Sequence, residues 1–131
     1  MAELVCVGCG PGDPELLTVK AVNAINAADT IMCPASNEDR PSIVLSIVSD
    51  IIDKSKNQEI VRLIFPMTKD KDVLEATWKK NAKIMAEKVL SGKNVVYITI
   101  GDPYLYSTWI YMHREIKANY PEMKISVVPG I

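Results

Sequence analysis

The sequence predicts an α/β fold, a three-layer domain in which a mostly parallel five-stranded sheet carries helices on both faces. Two observations carry that expectation. Apolar runs of strand character alternate with stretches of helical period from end to end, five of the first kind and four of the second. Such alternation marks strand–helix–strand units with parallel pairing. The chain has 131 residues, 48% of them hydrophobic and 24% charged, which is the balance of an ordinary globular domain with enough chain to bury a sizeable core. It contains no internal repeat, no low-complexity tract and no linker-like stretch.

Glu3 to Val7 reads as the first strand, running into Gly8-Cys9-Gly10-Pro11-Gly12-Asp13-Pro14. Asp13 suits an N-cap and Pro14 the first helical position, where a missing N–H costs nothing. A helix is expected from there, with Leu17, Ala21, Ala24, Ile25 and Ala28 as its buried stripe. Thr30 to Cys33 is the second strand, ended by Pro34. After a polar loop (Ala35 to Pro41), Ile43, Val44, Ile47, Val48 and Ile51 mark the second helix. Glu59 to Phe65 is the third strand. Pro66-Met67-Thr68-Lys69-Asp70 leads into a long third helix with the inner stripe Leu74, Trp78, Ala82, Met85, Val89, closed by Ser91-Gly92. Asn94 to Ile100 is the fourth strand, broken by Gly101-Asp102-Pro103. A fourth helix, Thr108 to Asn119, precedes Pro121 and a last strand, Lys124 to Val128. Pro129-Gly130-Ile131 follows that strand directly, and such a turn normally opens a further element. Residues 1–131 are therefore expected to be the first domain of a longer protein.

Fifteen Lys and Arg against sixteen Asp and Glu leave a formal charge of −1, so no general attraction to nucleic acid or acidic membrane is expected. No apolar run approaches the ~20 residues of a spanning helix, and the first residues lack the basic start of a signal peptide. The expected address is the cytoplasm. Cys6, Cys9 and Cys33 are an odd number, which favours a reducing compartment. A structural zinc site takes four ligands, and three cysteines with the single, distant His113 do not assemble one. A redox Cys-x-x-Cys opens a helix, whereas Cys6 and Cys9 end a strand, so the thiols read as structural and no metal is expected. His113 reads as a mid-helix surface or packed residue. Lys79, Lys80, Lys83 and Lys88 read as a solvated helix face. Trp78 and Met85 read as core, and Trp109 and Tyr111 as core packing beside the second Gly-Asp-Pro loop rather than contacts to a flat ligand.

In open α/β sheets, ligands bind beyond the carboxyl ends of the strands. Two Gly/Pro loops lie at such ends, Gly8 to Pro14 and Gly101 to Ser107. The first fails the dinucleotide fingerprint, because Gly8, Gly10 and Gly12 are followed by Asp13 where the third glycine should stand. A carboxylate there repels a pyrophosphate and competes for the same amide donors. No Gly-Lys-Ser/Thr is present either. A nucleoside ligand with a positive centre and no phosphate, such as S-adenosylmethionine, suits these loops better. Taken singly, each loop is also an ordinary tight turn; a pair at neighbouring strand ends favours a site.

With these loops in view, the chain resembles the tetrapyrrole (corrin/porphyrin) methyltransferases. Val7-Gly8-Cys9-Gly10-Pro11-Gly12-Asp13-Pro14-Glu15-Leu16-Leu17-Thr18 resembles their opening motif, Gly101-Asp102-Pro103-Tyr104-Leu105-Tyr106-Ser107-Thr108 the second, and Val128-Pro129-Gly130-Ile131 the start of the third. Phe65-Pro66-Met67-Thr68 and the Leu-Tyr-Ser-Thr ending resemble the precorrin-2 C20-methyltransferases, cobalt-factor II enzymes included. The resemblance implies an N-terminal α/β domain of this kind, a cleft for S-adenosylmethionine between two domains, a trough for the tetrapyrrole, and a homodimer. By motif, Pro11 walls the cofactor pocket and Ile100, Gly101, Asp102 and Leu105 line it. Asp102 is also the candidate for acid–base or electrostatic work near the accepting carbon; as a turn carboxylate it would instead cap the Ser107 region. Tyr106 and Ser107 shape the pocket or cap the next helix, capping being favoured for Ser107. Two rival readings remain at this point: another tetrapyrrole methylase, such as a uroporphyrinogen III methyltransferase, or a non-catalytic nucleotide-binding module.

Overall fold

The structure of the protein, a computed structural model, describes residues 2–103 and 109–131. Strand β1 (Leu4–Gly8) leads through a 3-10 turn (Pro14–Leu16) to helix α1 (Val19–Ala27) and strand β2 (Thr30–Ala35). Helix α2 (Ile43–Val48), a 3-10 turn (Lys54–Lys56) and strand β3 (Glu59–Ile64) follow. The second half comprises α3 (Lys71–Leu90), β4 (Val95–Thr99), α4 (Trp109–Asn119) and β5 (Ile125–Val128). All five strands are parallel, in the order β3-β2-β4-β1-β5.

Side chains alternate across each strand, so the sheet buries two separate cores. Leu4, Cys6, Met32, Val95 and Tyr97 face α3 and α4, where they meet Met85, Trp109, Met112 and Ile116. Val7, Ile31, Cys33, Val96 and Ile98 face α1 and α2, where they meet Ala21, Ile25, Val44 and Val48. Central β4 is buried at every position, as a strand covered on both faces must be, which explains its unbroken apolar run. The connection from β1 leaves over the α1 face and the connection from β4 over the α4 face. Since β1 and β4 are neighbours in the sheet, the topology reverses between them, and the crevice in which open α/β sheets bind ligands is expected at their carboxyl ends.

Four local details differ from the sequence reading. Asp13 does cap, its carboxylate accepting from the Glu15 N–H at 2.9 Å, but only a single 3-10 turn follows. Leu17 returns to extended backbone and Thr18 starts α1 by accepting from the Ala21 N–H at 3.0 Å. Two capping side chains compete within six residues, and the one next to the apolar stripe begins the helix. Pro34 lies inside β2 rather than ending it. Beyond Met32 the strand has no partner on the β4 side, and sheets accept proline where one edge is open. Helix α2 ends at Val48, leaving Ile51 in a turn and Ile43 exposed at its start. Trp78 is only half-buried and stacks on Tyr111 with centroids 4.1 Å apart, on the outer seam of α3 and α4. The inner face of α3 holds the polar Asn81 instead.

The remaining strands and helices fall within a residue or two of the sequence reading. Tyr111, read as core packing, is instead 41% exposed, while Trp109 is fully buried. Thr108, the expected start of the fourth helix, lies outside the described residues. Asp70 caps α3 by accepting from the Asp72 and Val73 N–H groups, and Gly92 follows it at φ +97. Lys79, Lys80 and Lys83 are exposed, while Lys88 reaches Glu59 at 2.8 Å. His113 is packed against the Trp109 ring at 5.4 Å, and burial, then Lys117, lowers its pKa. No helix among the described residues is long and apolar enough to cross a membrane.

Candidate functional site

The crevice between β1 and β4 is lined by backbone. Their exit loops are zipped together by an antiparallel bridge: the Gly101 N–H donates to the Gly10 carbonyl at 2.8 Å, and the Gly10 N–H returns to the Gly101 carbonyl at 3.3 Å. One step earlier, the Cys9 N–H donates to the Thr99 carbonyl at 2.8 Å. Gly10 and Gly101 have φ of +73 and +71, the left-handed region that side chains disfavour. The bridge thus depends on glycine at both positions. It sets Pro11 on one side and Ile100 and Asp102 on the other, around a surface without side chains at its centre. Pro11 is exposed, Ile100 is 45% exposed, and Gly101 and Asp102 are half-buried. The structure therefore gathers four of the five sequence-predicted site residues at the switch point. Leu105, with Tyr106 and Ser107, lies outside the described residues.

The loop after β5 also reaches this crevice. Gly130 packs against the backbones of both Gly8 and Gly101, a contact that no sequence spacing announces. Two further side chains organise neighbouring exit loops. Arg62, on β3, donates to the Arg40 carbonyl at 2.8 Å and to the Glu38 carbonyl at 2.7 Å, holding the loop after β2. Asn81 Nδ2 donates to the Ile64 carbonyl at 3.0 Å, fixing the end of β3. The signal for each was present but unread: a lone arginine in an apolar strand, and an asparagine among the buried positions of a helix.

The donor chemistry of the crevice excludes a phosphate site of the usual kind. The Asp13 carboxylate occupies the Glu15 N–H, so the turn offers an anion a negative charge in place of a free donor. The same features accept a nucleoside carrying a positive centre: glycine backbone permits close approach, and a carboxylate follows each bridging glycine in sequence, Asp13 three residues after Gly10 and Asp102 directly after Gly101. The thiols take no part. Burial pushes Cys9 up to about 12 and raises Cys33. Cys6 stands well above its ordinary value, first through burial and then through Cys9 and the Asp102 charge. Cys6 and Cys9 belong to cores on opposite faces of the sheet, which disposes of a redox pair. Among the described residues no group of His, Cys, Asp and Glu could hold a metal ion.

Around the crevice, Leu16, Val19, Ile43, Met67 and Ile100 are exposed, Met67 to 91%. They belong to the segments that leave β1, β2, β3 and β4, so the carboxyl-end face carries part of the exposed apolar surface; Ile60 and Leu90 carry more of it elsewhere.

These features are those of one class of protein. A profile of the tetrapyrrole (corrin/porphyrin) methylases matches residues 3–131, and the chain belongs to that family. It is 36% identical over 129 residues to the cobalt-precorrin-2 C(20)-methyltransferase of Salmonella typhimurium, which covers 98% of this chain and 52% of that protein. It is 42% identical over 120 residues to a probable cobalt-precorrin-2 C(20)-methyltransferase of Methanocaldococcus jannaschii, covering 91% of this chain and 49% of that protein. Among solved structures, a putative cobalamin synthesis related protein from Corynebacterium diphtheriae superposes with a TM-score of 0.74 at 21% identity, over 100% of this chain and 54% of that one, which shows the shared fold. The chain spans about half the length of the curated relatives it matches.

Proposed function

We propose that the protein is the N-terminal, cofactor-holding half of an S-adenosylmethionine-dependent methyltransferase acting on C20 of precorrin-2 or its cobalt form, cobalt-factor II, in cobalamin biosynthesis. The observation that carries this reading is the Gly10–Gly101 bridge at the topological switch point, with Pro11, Ile100 and Asp102 set around it. The names of its relatives support the choice of ring carbon.

In this reading Pro11, Ile100, Gly101 and Leu105 wall the cofactor pocket. The cofactor, when bound, supplies a methyl group on a sulfonium, open to in-line attack by carbon and leaving a thioether. The chain's part is positioning, which supplies much of what a methyl transfer needs, together with one carboxylate. Asp102 takes up the proton that the methylated ring carbon sheds, or holds the charge that develops there. The exposed apolar face at the carboxyl ends is of the sort that a folded protein covers, and a second domain is the proposed cover. The family resemblance adds a homodimer, and three buried free thiols suit a reducing, cytoplasmic setting.

The test is anaerobic incubation of the full-length protein with methyl-labelled S-adenosylmethionine and, separately, precorrin-2, cobalt-factor II and uroporphyrinogen III. Label located at C20 of either of the first two supports the reading and identifies the metal state of the substrate. Label only on uroporphyrinogen III transfers the protein to another branch of the family. Absence of transfer to all three leaves a non-catalytic binding module.

A further inference from the structure

Three loops, after β1, β4 and β5, meet at three glycines. A Cβ placed on Gly8 would lie 2.6 Å from the Gly101 carbonyl oxygen, 2.7 Å from the Gly130 nitrogen and 2.9 Å from the Gly130 Cα. A Cβ on Gly130 would run into the same Gly101 oxygen and lie 2.8 Å from the Gly8 carbonyl carbon. Every one of these neighbours is backbone, which cannot swing aside as a side chain would. The Gly101 oxygen that both positions approach is also the acceptor of the Gly10–Gly101 bridge. Ordinary contacts begin near 3.4 Å, so one methyl group at Gly8 forces the loops apart by roughly 0.8 Å, on the scale at which a misplaced catalytic site loses much of its rate.

We infer that Gly8 and Gly130 are positioning residues: their contact registers the loop after β5 against the Gly10–Gly101 bridge and so fixes the width of the cofactor crevice. This rests on the proposed function for the identity of the ligand, but the mechanical part stands apart from it. Gly8 and Gly130 have no positive φ, so their need for glycine is spatial. Gly92 provides the opposite case, with φ +97 and nothing within 4 Å of its would-be Cβ. Substitution there strains a turn after α3 and leaves the crevice untouched.

The experiment compares Gly8→Ala, Gly130→Ala, their double variant and Gly92→Ala in the full-length protein. Two quantities are read: hydrogen exchange at the Gly101 amide, and affinity for S-adenosylmethionine by calorimetry, with KM and kcat where turnover is measurable. Either crevice variant is expected to speed Gly101 exchange and to weaken binding about tenfold or more, raising KM more than it lowers kcat. The double variant is expected to bind no worse than the poorer single one, because both open the same contact. Gly92→Ala should lower the melting temperature with neither effect. Gly130 lies beyond the last strand, so its variant carries the test if Gly8→Ala fails to fold. Unchanged Gly101 exchange and wild-type affinity in Gly130→Ala overturn the inference. Faster exchange with no binding by the wild type would uphold the contact and overturn the cofactor reading instead.

Discussion

Replacing Asn81 isolates the hydrogen bond that ties α3 to the end of β3. The side chain is 3% exposed and its Nδ2 donates to the Ile64 carbonyl at 3.0 Å. Asn81→Leu keeps the branched shape, with bulkier ends, and removes the donor; stripping the part-buried Ile64 carbonyl of its partner costs about 1–3 kcal/mol. Asn81→Asp at neutral pH does worse, because it sets a buried carboxylate against a carbonyl oxygen and both groups only accept. Burial raises the pKa of such a carboxyl above its value in the unfolded chain. Its protonated form, which can donate to Ile64, is therefore present at low pH and lost as pH rises through the folded-state value. Relative to wild type, Asn81→Asp should thus be the least stable variant at pH 7.5 and recover at pH 4.5, to or beyond the level of Asn81→Leu. Urea unfolding of the three proteins at both pH values measures this. A difference between Asn81→Asp and wild type that does not change with pH would refute the account of Asn81 as a donor.

Further outcomes follow from the same geometry. Asp102→Ala in the full-length protein should cut turnover while leaving the melting temperature in place; unchanged turnover returns Asp102 to a turn-capping role. Cys6, Cys9 and Cys33, all buried, should resist a thiol reagent at pH 8 in the native state and react together on unfolding; rapid labelling of Cys9 without unfolding would contradict its burial. Because Cys9 is raised from 9.0 to about 12, the unfolded chain gives up its proton first, so stability should fall as pH rises between those values. Removing the α3 cap with Asp70→Ala should cost about 0.5–2 kcal/mol in urea unfolding.

The middle of the sheet was legible because β1, β2 and β4 are buried along nearly their whole length, whereas the edge strands β3 and β5 are partly exposed. A run such as Val95 to Thr99, apolar without alternation, has few alternatives to a buried parallel strand. The switch-point loops were legible for the same reason that they are useful: Gly10 and Gly101 need a backbone conformation that side chains disfavour, and glycine in such a turn is visible in one dimension. Other features depend on contacts between residues far apart. Gly8 and Gly130 adopt unremarkable φ values and require glycine only because the folded chain brings them together. Asn81 and Arg62 act on carbonyls 17 and 22 or 24 positions away. The two competing caps, Asp13 and Thr18, were both readable, and which of them would begin α1 was decided by where the inward stripe of Ala21 and Ile25 had to start.

The most direct test of the central claim, a cofactor site at the carboxyl ends of β1 and β4, is a crystal structure of the full-length protein with S-adenosylhomocysteine. The account predicts the nucleoside against the Gly10–Gly101 bridge, in contact with Pro11, Ile100 and Asp102. The opposite end of the sheet offers a rival place, a polar cavity of about 570 Å³ lined by Asn26, Asp29, Lys56, Gln58 and Lys93. The ligand seated there, or absent from the crevice at saturating concentration, would contradict the account.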